Sequence, residues 1–129
     1  MKPAVSEWVE KAEADFVSAQ REARARKSPN YDLACFLCQQ SLEKYLKAIH
    51  QQEGIVFPKT HNLVCLLDQV IGKYPQLEIW RPQLERMSSY AVIFRYPGES
   101  SNKEHALEAL KWCKDIRKVF RDVLGITNA

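Results

Sequence analysis

The chain has 129 residues, of which 46% are hydrophobic and 27% are charged, and its formal net charge is +3. At this length a chain forms one domain that buries about two-thirds of its unfolded surface, so residues 1–129 are expected to be a single domain. The composition excludes a disordered or collagen-like protein, and the mild positive charge does not by itself indicate a nucleic-acid binder.

Apolar residues at helical spacing predict a first helix over about residues 3–26 and a second over about residues 30–53. Pro3 suits the first turn, residues 27–30 break the pattern, and Gly54 suits the position just past a helix end. The second helix carries a core stripe of seven residues: Tyr31, Ala34, Cys35, Cys38, Leu42, Tyr45 and Ile49.

The opposite side of this second helix is also patterned, with Phe36, Gln40, Glu43 and Lys47 in one row and Lys44 beside them. An aromatic residue opposite the core stripe exposes apolar area unless another element covers it. Either the bundle wraps the helix on both sides or a second subunit covers this outward face. In a two-fold homodimer, Glu43 and Lys47 could pair across the axis.

The remaining sequence predicts three more helices. Thr60 is expected to cap the third, and the fourth, with Pro82 near its start, is expected to end at Arg95-Tyr96-Pro97-Gly98. Ser101 and Glu104 form a capping box for the last helix, which Gly125 closes. No segment shows convincing period-two alternation. The predicted fold is therefore all-α, an up-and-down antiparallel bundle of four to five helices.

Asp15 lies at the edge of the first helix's apolar stripe, so its carboxylate is expected to be partly buried and to need a partner. Lys44 or Arg95 could supply that partner. Such a pair is either a structural ion pair or part of a polar pocket between helices.

Arg95 and Tyr96 place a guanidinium and a phenol at a rigid chain reversal. There they could bind a phosphate and stack on a base. The alternative is that Arg95 caps helical carbonyls while Tyr96 packs against the protein.

Cysteine and histidine spacing raises the question of zinc, because Cys35-x2-Cys38 is followed by His61-x3-Cys65. Both members of the first pair lie inside a helix on its core stripe, where they are more typical of small packing residues. We therefore predict no metal and no cofactor. His61 adjoins the start of the third helix, where a capping or surface role is favoured over catalysis.

Two groups of basic residues stand out. One closes the first helix and the other lies on the last: Arg21, Arg24, Arg26 and Lys27, and Lys111, Lys114, Lys118 and Arg121. Helix ends and solvated faces attract such charges, and RNA binding is the functional alternative. The cysteines at or beside apolar positions and the lack of a long apolar run predict a cytoplasmic protein without disulfides or a membrane span.

These residues resemble the HEPN family, named for its occurrence in higher eukaryotes and prokaryotes and its proposed nucleotide binding. The resemblance covers nearly the whole chain and rests on four segments in order: Trp8-x2-Lys11-Ala12-Glu13-x-Asp15, Asp32-Leu33-Ala34-Cys35-Phe36-x3-Gln40-x2-Glu43-Lys44-x-Leu46-Lys47-Ala48, Pro58-Lys59-Thr60-His61-Asn62-Leu63 and Arg95-Tyr96-Pro97-Gly98.

The resemblance implies a helical bundle, commonly homodimeric, often encoded in prokaryotes beside a minimal nucleotidyltransferase as a toxin–antitoxin or two-component pair. Many relatives are metal-independent RNases with an Arg-x4-6-His motif at a dimer cleft. This chain departs from that motif, because its nearest pair, Arg95 and His105, has nine residues between.

The favoured function is therefore a non-catalytic binding or regulatory module, a homodimer paired with a nucleotidyltransferase that holds a nucleotide or an RNA phosphate. The candidate pocket comprises Asp15, Gln40, Glu43, Lys44, Lys47, His61, Arg95 and Tyr96, and the candidate dimer face comprises Phe36, Gln40, Glu43 and Lys47. The alternative is an RNase of altered spacing in which Arg95 acts with His105 or His61. A purely structural subunit is a third class. Tyr90 and Tyr96 are possible acceptors if the partner transfers a nucleotide.

Overall fold

The computed structural model describes residues 1–127, which contain five α-helices. They are α1 (Pro3–Arg24), α2 (Tyr31–Glu53), α3 (Leu63–Val70), α4 (Arg81–Ser88) and α5 (Lys103–Val123). Short 3-10 turns flank α4 at Pro75–Trp80, Ser89–Ala91 and Ile93–Arg95. Since no strand occurs in the described part of the chain, the predicted all-α bundle is confirmed.

Helix α2 lies at the centre of the bundle, in contact with α1, α5 and α3. Its core stripe is enclosed as predicted except at Tyr31, which is only partly buried, and Leu42, Tyr45 and Ile49 are fully buried. Polar residues of α2 are buried as well, including Gln39, Ser41, Glu43 and His50. The bundle itself therefore wraps the second face of α2 around Glu43, which was one of the two alternatives for that face.

A charged network ties α1, α2 and α5 together at Glu13. Arg117 forms a bidentate ion pair with this carboxylate, with Nε 2.6 Å from Oε2 and Nη2 2.5 Å from Oε1. The buried hydroxyl of Tyr45 also donates to Oε2. Arg121 Nη1 donates to the same hydroxyl at 3.0 Å. Burial alone would raise the pKa of Glu13, but the hydrogen bonds from Arg117 and Tyr45 outweigh it and lower that pKa.

The predicted caps of α3 and α5 are each wrong by one or two residues. Asn62, and not Thr60, caps α3, accepting from the backbone N–H of Val64 at 3.0 Å and of Cys65 at 3.2 Å. Asn102 caps α5 in the same way. Ser101 lies one residue before the cap, where its N–H donates to Asp32 Oδ1 at 2.6 Å and its Oγ lies 3.3 Å from Cys35 Sγ, two contacts that hold it against α2.

The fourth helix is shorter than the sequence predicts. Pro82 does lie in its first turn, but regular helix ends at Ser88, and the chain reaches Arg95 through two 3-10 turns. Val92 separates these turns because its backbone leaves the helical region, with φ −126° and ψ −48°. Arg95 therefore lies on a tight turn beside α2 and not at the end of a long helix.

The part of the chain that the structure describes has no helix with both the length and the hydropathy that a bilayer span requires.

Candidate functional site

The second face of α2 is less exposed than the sequence predicts. We call it the polar face of α2, and it consists of Phe36, Gln40, Glu43, Lys44 and Lys47. The side chain of Glu43 is only 3% exposed and that of Lys47 only 14%. The expectation of an outward face is therefore wrong for this end of the row. The reason is that α1 covers one side of it and the segment of residues 57–62 covers the other.

Glu43 is the most enclosed charge of this face, and both of its oxygens are paired. Oε1 accepts from His61 Nδ1 at 2.8 Å and from Gln39 Nε2 at 3.1 Å, while Oε2 accepts from Lys47 Nζ at 2.9 Å. Burial alone would raise the pKa of Glu43, but hydrogen bonds from Lys47, His61 and Gln39 outweigh it, so this pKa lies below its usual value. Glu43 is thus an ionised structural anchor and has no free oxygen for a ligand.

His61 is held by this anchor at the protein surface. Its imidazole is 64% exposed although Nδ1 is bound to Glu43, and its backbone carbonyl accepts from Gln39 Nε2 at 2.8 Å. A carboxylate bound to one ring nitrogen fixes the tautomer and leaves the other nitrogen to act. His61 is therefore an oriented, accessible imidazole: of the capping and surface roles expected from the sequence, it has the surface position, and Asn62 caps α3.

Asp15 is paired with Lys44, one of the two partners, Lys44 and Arg95, that the sequence offered for it. Lys44 Nζ lies 2.5 Å from Asp15 Oδ2, with the two side chains 23% and 19% exposed. Beside this pair, Gln40 Nε2 donates to Gln39 Oε1 at 2.7 Å. Asp15, Gln40 and Lys44 thus find their partners within the chain, which is typical of structural support.

Arg95 and Tyr96 are different, because their side-chain polar groups have no hydrogen-bond or ion-pair partner among residues 1–127. The Arg95 guanidinium lies over the Phe36 ring, with Cζ 5.6 Å from the centroid, and forms no ion pair or side-chain hydrogen bond with any residue of 1–127. Tyr96 is 63% exposed. The alternative in which Arg95 caps a helix and Tyr96 packs is therefore not what the structure shows, and both side chains face solvent at one end of the polar face.

His105 and Tyr90 form a separate contact at the start of α5. The Tyr90 hydroxyl lies 2.6 Å from His105 Nε2, and Phe94 packs on both rings. Tyr90 is only 3% exposed, and burial raises its pKa to about 12. Of the two tyrosines named as nucleotide acceptors, only Tyr96 is accessible, and the imidazole of His105 is engaged by Tyr90.

The cysteine and histidine ligand set does not come together. Cys35 Sγ lies 3.3 Å from Ser101 Oγ, and Cys113 Sγ approaches the Cys38 carbonyl in the core, whereas Cys65 is exposed. Burial raises the pKa of the Cys35 thiol. Within residues 1–127 no group of three or more histidine, cysteine or acidic side chains could hold a metal.

The polar face has two ends with different chemistry. Phe36 and Glu43 are seven residues apart, which places them about 10 Å apart along the helix axis. The end at Phe36 offers an unpaired guanidinium and an exposed phenol, which can bind an anion and stack on a base. The end at Glu43 offers only the imidazole of His61.

Sequence reasoning missed three side chains at the Glu43 end of the polar face. Gln39 is fully buried and bridges Glu43 and His61, although its spacing of four residues before Glu43 is a recognisable signal. Trp8 and Phe57 flank the Lys47 ammonium, with ring centroids 5.3 and 5.5 Å from Nζ. Nothing in the local sequence pairs these two rings, because they come from α1 and from an irregular segment.

Because the pKa of Glu43 is lowered in the folded chain, its stabilisation is present above the unfolded pKa and is lost as pH falls through the folded value. We predict that Glu43→Gln lowers the free energy of unfolding at neutral pH by about 1–3 kcal/mol and flattens the decline of that free energy as pH falls below the ordinary glutamate pKa of 4.5. Urea unfolding followed by circular dichroism measures both. Glu99→Gln, in an exposed loop, is the control, and equal effects of the two variants would refute the anchoring role.

Comparison with known proteins agrees with this architecture. Residues 5–123 match the HEPN domain. The fold is similar to the crystal structure of TT1696 from Thermus thermophilus, with a TM-score of 0.83, 22% sequence identity, and coverage of 95% of this chain and 99% of that chain. No curated protein matches the sequence significantly. Because the HEPN match spans nearly the whole sequence, the chain belongs to the HEPN family.

Proposed function

We propose that this HEPN-family protein is a non-catalytic binding and regulatory module that holds the phosphate of a nucleotide or of RNA at Arg95. One observation carries the proposal. The Arg95 guanidinium lies over the Phe36 ring without an ion pair to any residue of 1–127, and the exposed phenol of Tyr96 follows it in the chain.

The charges around Arg95 favour an anion there. Lys44 and Lys47 of the polar face are already neutralised by Asp15 and Glu43, whereas Arg95, at the Phe36 end of that face, forms no ion pair within residues 1–127. A guanidinium donates two parallel hydrogen bonds to a phosphate, and an exposed aromatic ring next to it can stack on a base. Asp15, Gln40, Glu43, Lys44 and Lys47 then support the site without contacting the ligand.

We predict that Arg95→Ala weakens binding of adenosine 5′-monophosphate about 10- to 100-fold, since a charge-assisted hydrogen bond contributes about 1.5–3 kcal/mol. Isothermal titration calorimetry measures this loss, and Arg95→Lys should retain only part of the affinity. Arg86→Ala is the matched control, because Arg86 also lies over an aromatic ring, Trp112, at 5.6 Å. Wild-type affinity in Arg95→Ala would refute the site.

The proposal includes a homodimer, but through a different face from the one first expected. Glu43 and Lys47 already pair within one chain, and this supports placing the interface elsewhere. Exposed apolar residues lie instead near Arg95, with Leu33 at 38%, Val92 at 55% and Ile93 at 37% exposed. Such residues clustered at one end of a bundle are typical of an interaction surface. Pairing with a minimal nucleotidyltransferase, implied by the family resemblance, completes the proposed module.

We predict that Val92→Asp converts the dimer to a monomer, because a carboxylate buried in a subunit contact costs several kcal/mol. Sedimentation velocity measures the oligomeric state of the variant. Ile79→Asp, at a residue 73% exposed on another part of the surface, should leave the dimer intact. A wild-type chain that sediments as a monomer at micromolar concentration would contradict the dimer.

A second candidate is the RNase alternative, and the Glu43–His61 contact favours it. His61 could accept the proton of a ribose 2′-hydroxyl while that oxygen attacks phosphorus and the 5′-oxygen leaves, with Arg95 stabilising the phosphate. The separation of about 10 Å along α2 between the two ends weighs against this arrangement within one chain.

Cleavage of a mixed RNA pool with chelator present separates the two candidates. The binding module predicts no cleavage above background by the wild-type chain. Cleavage lost in both His61→Ala and Arg95→Ala, but kept in Lys59→Ala, would establish the enzyme instead. Lys59 is a suitable control because it is an exposed cation two residues from His61.

A further inference from the structure

A second site of positive charge lies where the ends of three helices meet. A cavity of about 450 Å³ is lined by the end of α1, the start of α2 and the start of α5. Its lining includes three cations, Arg24, Arg26 and Lys103, together with the partly buried side chain of Tyr31. The other lining residues are apolar, and none is acidic: Ala23, Ala25, Pro29 and Leu107.

This cavity continues into a row of lysines on α5. Lys103, Lys111 and Lys114 share one side of the helix with Leu107, and all are exposed. That side adjoins α1, because Arg117 next to it contacts Glu13 and Phe16 of α1. The basic groups at the end of α1 and along α5, distant in the sequence, thus form one surface. We call Arg24, Arg26, Lys103, Lys111 and Lys114 the basic track.

Helix ends do not explain the basic track. Arg24 lies in the last turn of α1, where a cation is favoured by the helix dipole, but Arg26 lies beyond that helix. Lys103 is the first residue of α5, where the positive end of the dipole disfavours a cation. No residue of the track forms an ion pair with any part of the described chain. An external anion would balance these charges.

The shape of the surface points to a chain of phosphates. From Lys103 to Lys114 the track follows α5 for about 16 Å, which exceeds the reach of one phosphate. At its end the cavity offers an aromatic ring among cations, a combination that accepts an unpaired base together with its phosphate. A duplex keeps its bases stacked inside, so it could not fill this cavity.

We propose that the basic track binds a single-stranded polynucleotide, with its backbone along Lys111 and Lys114 and one nucleotide in the cavity beside Tyr31. The track is separate from Arg95, because Tyr31 and Phe36 lie about 140° apart around α2. It extends the proposed function from one phosphate to a polynucleotide, and its contacts do not depend on Arg95.

Fluorescence anisotropy with an end-labelled single-stranded RNA of about 12 nucleotides tests the track on the full chain. We expect Arg24→Ala/Arg26→Ala/Lys103→Ala to bind at least about tenfold more weakly and to reduce the salt slope by about 2, since each phosphate contact contributes about 0.7. The matched control is Lys2→Ala/Lys11→Ala/Lys59→Ala, which removes the same charge from exposed positions outside the track and should stay within about twofold of wild type. Circular dichroism confirms that both are folded.

Equal losses in the two triple variants, or no binding of the RNA by the wild-type chain, would overturn the track. If the triple track variant binds the RNA as tightly as wild type while Arg95→Ala still weakens binding of adenosine 5′-monophosphate, the track is refuted and the proposed function stands. If the triple track variant loses RNA affinity while the wild-type chain does not bind the mononucleotide, the track stands and the Arg95 site is refuted. Equal affinity for single-stranded DNA supports recognition of the backbone alone, and a preference for RNA supports an additional contact to the 2′-hydroxyl.

Discussion

The burial of Glu43 is the constraint on which the rest of the polar face depends. A carboxylate inside a helical bundle is stable only when its oxygens are paired, and here Lys47, His61 and Gln39 all bind it. Because His61 lies outside the helices, this pairing also holds the segment before α3 against α2. The anchor that keeps Glu43 ionised therefore closes half of a surface that would otherwise be free to meet a partner.

The closed half and the open half of the polar face have different consequences for function. At Glu43 every charge is matched inside the chain, so that end stabilises the bundle and orients one imidazole. At Phe36 the charge of Arg95 has no partner in the described part of the chain and Tyr96 is exposed, and this is why we place the ligand at that end. An RNase site needs a general base and a cation around the same phosphate. The separation of His61 from Arg95 along α2 therefore favours binding over cleavage.

Helical periodicity predicted the core of α2 correctly, because the residues that face the bundle centre repeat every three to four positions. It could not predict what covers the other side, since residues 55–62 have no periodicity and their position depends on the pairing of His61 with Glu43. The caps were missed for a similar reason. Ser101 is a good capping residue in isolation, but in the bundle its hydroxyl lies against Cys35 of α2, and the side chain of Asn102 accepts from the N–H of His105 instead.

The candidate site was predicted in part. Lys44 was one of two partners considered for Asp15, and only the packing of α1 on α2 selects it. The isolation of Arg95 depends on the 3-10 turns after Ser88, which turn its side chain onto Phe36. Likewise, the two basic groups of the track are separate in the sequence, and they meet only because the ends of α1 and α5 are neighbours in the bundle.

The most direct test of the Arg95 site is an NMR titration of nitrogen-labelled protein with adenosine 5′-monophosphate. A phosphate at Arg95 predicts shifts of the backbone amides of Phe36, Phe94, Arg95 and Tyr96, with those of Glu43 and His61 unchanged. Shifts centred on Glu43 and His61, or no shift at Arg95 at a saturating concentration, would contradict it.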